Sequence, residues 1–89
     1  MEYPRVDGNK WIYFEKCDDT PKTEKWAVIN KSTEEPLAQI EWYYAWRQYV
    51  IYPEPNTLYN DGCLEAIIVF MKRLNIEKKL YPDIKVKQY

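Results

Sequence analysis

The stretch Leu37-Ala38-Gln39-Ile40-Glu41-Trp42-Tyr43-Tyr44-Ala45-Trp46-Arg47-Gln48-Tyr49-Val50-Ile51-Tyr52-Pro53 decides how this chain folds. Its opening residues alternate. Ala38, Ile40 and Trp42 fall on one side of an extended chain, Gln39, Glu41 and Tyr43 on the other. A period of two marks a strand with one buried face. A tight turn near Tyr44-Ala45-Trp46 then sends the chain back through Arg47 to Tyr52 as a second strand. Pro53-Glu54-Pro55-Asn56 ends the sheet, because proline has no N–H to give to a ladder.

Working outward, the pattern upstream is also that of strands. Lys10 to Cys17 is rich in aromatic and β-branched residues. Glu24 to Asn30 sets Trp26 and Val28 on one face and Ala27 and Ile29 on the other. Asp18 to Thr23 reads as a loop, and Lys31 to Pro36 as a hairpin connection. Residues 1–9 read as a lead-in punctuated by Pro4 and Gly8.

Downstream, one helix is expected. Asn60 or Asp61 supplies its N-cap. Leu64, Ile67, Ile68, Met71 and Leu74 recur at helical spacing and define an apolar stripe, which Val69 and Phe70 broaden. With no second helix to receive that stripe, it must pack on the sheet. Residues 80–89, in which apolar and charged residues alternate from Asp83 onward, suit either a short edge strand or a loose tail. The expectation is a single α+β domain over 1–89: a three- to four-stranded antiparallel meander with one amphipathic helix on one face, in order ββββα. The other face is then left to solvent or to a partner.

Composition bounds the function. At 89 residues, folding hides only roughly 60–65% of the unfolded chain's surface, so each buried side chain counts heavily. The 17% aromatic content supplies large buried areas and suits a globular domain despite 30% charge. Thirteen basic and fourteen acidic residues leave a net charge of −1, which provides no global field for phosphate backbones. There is no histidine, and Gly8 and Gly62 are the sole glycines, so no phosphate-cradling loop can be built.

Cys17 and Cys63 lack metal-ligand spacing and read as free thiols buried as small apolar residues. Asp18-Asp19 and Glu34-Glu35 read as exposed turn carboxylates. Neither a cofactor nor a metal is implied. The N-terminus lacks a signal-peptide pattern and no apolar run reaches membrane-spanning length, which points to the cytoplasm.

Aromatic density is the one feature that suggests a site. Ile40 to Pro53 holds two of the four tryptophans and four of the nine tyrosines, with Arg47 among them. Strand alternation forbids all of them from pointing inward together. Trp42, Tyr44, Trp46, Arg47 and Tyr49 are the candidate binding residues, with Tyr59 in the stiff Pro53–Asn60 connector as a marginal sixth. The competing reading is that most of them are cross-strand pairs that stabilise a small sheet.

The segment from about Lys25 to Asn75 resembles a known family. Trp26-Ala27-Val28-Ile29-Asn30-Lys31, Leu37 to Tyr43, Trp46-Arg47-Gln48-Tyr49, a proline-rich turn and Cys63-Leu64 opening a helix with Phe70 carry the likeness. The family consists of small proteins of unknown function from bacteriophages, prophages and bacteria. The resemblance implies a stand-alone protein associated with a phage or mobile element, and brings no activity or cofactor with it. The expected function is therefore non-enzymatic protein binding through a free aromatic sheet face, with self-association as a homodimer its simplest form. The alternative is single-stranded nucleic-acid binding by the same aromatics.

Overall fold

Five strands, not four, make the sheet of this protein, seen in a computed structural model that describes residues 4–19 and 23–80. They are β1 (Arg5–Asp7), β2 (Ile12–Asp19), β3 (Glu24–Asn30), β4 (Pro36–Tyr43) and β5 (Gln48–Pro53), followed by the helix α1 (Asp61–Leu80). Strand order in space is the order in sequence, and every pairing is antiparallel. The α+β meander with one helix packed on it is as the sequence indicates. The additional strand lies in the stretch read as a lead-in. β1 is short and two of its three residues are charged, so it carries almost no hydrophobic pattern. Pairing fixes it instead: Val6 stands opposite Phe14, and the Lys16 N–H donates to the Pro4 carbonyl at 3.0 Å. The proposed tail strand at 80–89 lies outside the described residues, apart from Leu80, which closes the helix.

Registers stack the apolar residues into rows beneath the helix. Phe14, Val28 and Ala38 align across β2, β3 and β4, and Trp26, Ile40 and Ile51 across β3, β4 and β5. Ile12, Phe14, Val28, Ala38 and Ile40 are essentially closed to solvent. From the helix, Cys63, Ile67, Phe70 and Leu74 complete the core at i, i+4, i+7 and i+11. This corrects the expected stripe by one residue. Leu64 and Ile68 face outward, 48% and 52% exposed, while Cys63 and Phe70 face in. The reason is ring geometry. Phe70 lies parallel to Phe14 at 4.1 Å and meets Trp26 edge-on at 5.0 Å, and no other residue of the helix fills that slot.

The N-terminal end of the helix is held by two asparagines. Asn60 caps it, its Oδ1 accepting the Cys63 N–H at 2.7 Å. Asn9, in the β1–β2 loop, accepts from the Trp11 and Ile12 amides at 2.8 and 3.0 Å and donates to the Gly62 carbonyl at 3.0 Å. The loop and helix end are so close that a Cβ on Gly62 would lie 2.8 Å from the Trp11 ring. A Cβ on Gly8 would meet the Ile12 carbonyl and the Phe14 ring at 3.0 Å. The two glycines of the chain thus sit at one corner, where backbone must approach an aromatic ring closely.

Candidate functional site: the aromatic hairpin

The β4–β5 turn spans residues 44–47, one residue longer than the sequence suggests. Arg47 belongs to this turn and not to the strand. Its φ is 56°, a left-handed conformation, and its N–H donates to the Tyr43 carbonyl at 2.8 Å. Loop length sets register, and register sets facing. With Tyr43 opposite Gln48, Trp42 falls opposite Tyr49 on the helix side, and Glu41 falls opposite Val50.

The six expected residues therefore separate into an exposed set and an anchoring set. Tyr44 and Trp46 are 71% and 65% exposed, and Arg47 is exposed beside them. Trp42 is half-buried, with Tyr49 edge-on at 5.3 Å, Tyr44 at 6.4 Å, and the Lys78 ammonium 5.6 Å from its ring. Tyr49 is core, at 4% exposure. Tyr59 ties the connector to the sheet, its hydroxyl donating to the Leu37 carbonyl at 2.7 Å. Tyr43, which the sequence reading did not single out, joins the exposed set by meeting Trp46 edge-on at 5.2 Å.

Beneath the hairpin lies a polar knot. The Tyr49 hydroxyl accepts the Glu24 N–H at 3.1 Å, and the Glu24 carboxylate accepts the Trp26 indole N–H at 2.8 Å. Lys16 approaches the same carboxylate at 3.9 Å. Burial, with Glu24 adding repulsion, pushes the Tyr49 phenol from 10.0 up to about 12. A raised phenol pKa means the folded state prefers neutral tyrosine. That preference stabilises fully below pH 10, the unfolded value, and is lost as pH rises toward 12. Tyr49→Phe should therefore flatten the fall in thermal stability between pH 10 and 12. At neutral pH it should cost about 1 kcal/mol, since the Glu24 amide loses its acceptor. Parallel melts across that pH range check both.

The sheet face away from the helix is covered largely by its own side chains. Ala27 and Ile29 lie on it yet are buried. They stand opposite Glu15 and Tyr13, and Arg5 pairs with Glu15 while lying 5.0 Å from the Tyr13 ring. Among the described residues no group of three His, Cys, Asp or Glu side chains is placed to hold a metal ion. Cys63 is buried, as expected, but Cys17 is exposed rather than buried; both are free thiols. None of the described helices is long and apolar enough to cross a membrane. Comparisons with protein-family models, with curated proteins and with solved structures give no match in any of the three.

Proposed function

We propose that this chain is a non-enzymatic protein-binding module whose contact surface is the β4–β5 hairpin. Tyr44, Trp46 and Arg47 make the contact, and Tyr43 and Trp42 back them. The observation that carries this reading is exposure without looseness: two large aromatics stand mostly in solvent, yet each belongs to an edge-to-face pair rooted in the sheet. Ordered aromatics beside an arginine are the residue types most enriched where binding energy concentrates, because little side-chain entropy remains to be lost. The edge-to-face pairing also weighs against nucleic-acid stacking, which needs open parallel ring faces in a basic groove. Two free thiols, one of them exposed, suit a reducing compartment such as the cytoplasm. The resemblance to small phage and bacterial proteins supports a module that is itself associated with a phage or another mobile element.

Trp46→Ala and Arg47→Ala test the proposal. Arg47→Ala keeps a Cβ, so the turn conformation is unchanged and only the guanidinium is lost. Each variant should retain the wild-type melting curve and weaken association about tenfold or more. Light scattering over a concentration series reads a second copy. A photoreactive side chain at position 44 reads any other protein. Variants that fold and associate like the wild type would sink the hairpin as the contact.

A further inference from the structure

Between the outer edge of β5 and α1 runs an open groove of about 400 Å³, bordered at one end by Trp46 and walled by Ile68, Met71, Lys72 and Asn75. Gln48 to Ile51 of β5 line its other side. The Glu54 N–H points inward to the Leu37 carbonyl, and amides alternate sides along a strand, so residues 49, 51 and 53 point outward. The Tyr49 N–H is taken by the Asn75 side chain at 2.7 Å, and Pro53 has none. The Ile51 N–H and the carbonyls of Tyr49, Ile51 and Pro53 have no hydrogen-bond partner among the described residues. Among the described residues, Lys72 is the one charged side chain lining the groove.

We infer that this groove receives an extended peptide segment of another protein, which adds to β5 as a sixth antiparallel strand and places a carboxylate against Lys72. The inference rests on the protein-binding reading above and names the chemistry of the partner. Strand addition takes affinity from main-chain hydrogen bonds and specificity from alternate side chains. Pairing centred on Ile51 exchanges two hydrogen bonds there, and the incoming amides two residues to either side reach the carbonyls of Tyr49 and Pro53. Side chains on the same side as Ile51 meet Ile68 and Met71, which favours β-branched or aromatic residues at alternate positions. In antiparallel pairing the residue facing Tyr49 is the C-terminal one, which brings a terminal or side-chain carboxylate to the Lys72–Asn75 end.

The test is selection from a random heptapeptide library displayed with free C-termini. Amide exchange at Ile51 is then read by NMR with a selected peptide added. Selected peptides should carry alternating apolar residues and an acid near the C-terminus, and should slow Ile51 exchange about tenfold or more on saturation. Ile68→Glu, at an exposed position, should weaken them about tenfold or more without altering the melting curve. Lys72→Glu should shift selection toward basic peptides. Amidated and free forms of one peptide separate a terminal carboxylate from a side-chain one. Failure to select any peptide, or binding indifferent to Ile68→Glu, overturns the groove. Peptides lost with Trp46→Ala but not Ile68→Glu would overturn it while leaving the hairpin surface standing. Ile51 protection that grows with protein concentration alone would mean a second copy fills the groove, and would overturn it too.

Discussion

Phe70→Ala is expected to cost about 3–5 kcal/mol and to lower the melting temperature by on the order of 15–30 °C. The ring is stacked on Phe14 and braced by Trp26, so its removal opens a cavity between three secondary-structure elements that cannot close without moving the helix. Leu64→Ala is the control. Leu64 is 48% exposed, and its loss should change stability by less than about 1 kcal/mol. Chemical denaturation of both variants checks the pair. Equal losses would mean that the helix face is the one suggested by residue spacing, and not the one centred on Phe70.

The second large effect is expected at Asn9. One side chain accepts two amides of its own loop and donates to the Gly62 carbonyl, so Asn9→Ala removes three hydrogen bonds. At about 1 kcal/mol each, the loss should be about 2–4 kcal/mol, with the Trp11 and Ile12 amides left seeking water. Asn9→Asp keeps both acceptors and loses only the donor toward the helix. Its cost should be about a third of that of alanine. If aspartate proves as damaging as alanine, the contact to Gly62 and not the loop closure dominates.

How far these features can be read from residues alone varies with their physical cause. The β4–β5 hairpin is plain in the sequence because a period of two persists over a whole strand and prolines end it. The side of the hairpin each aromatic takes is less plain, because it hangs on loop length. A turn of three residues or four reverses the facing of everything after it, and only the four-residue turn buries Tyr49. The helix is plain too, yet its buried face is not. Ile67-Ile68-Val69-Phe70-Met71 is apolar all round, so spacing cannot choose the stripe, and the slot between Phe14 and Trp26 does.

Among the candidate binding residues, Tyr44, Trp46 and Arg47 are exposed as a surface role requires. Tyr49 and Tyr59 spend their hydroxyls on internal backbone groups. Asparagines were legible only where position announces the task. Asn60 heads a helix and reads as a cap, whereas Asn9 and Asn75 act over 53 and 26 residues of chain and carry no local signal.

The order of the strands has a kinetic consequence. Each strand pairs with its neighbour in sequence, so the sheet can grow by successive local closures, each over a short loop. The helix arrives last along the chain, and its docking at the Asn9 corner joins segments 53 residues apart. That contact belongs to the end of folding and should be absent at the barrier. Refolding of Asn9→Asp, which loses only the contact to Gly62, should then proceed about as fast as that of the wild type, with the destabilisation appearing as faster unfolding. The corner that closes the molecule is also the place where it begins to come apart.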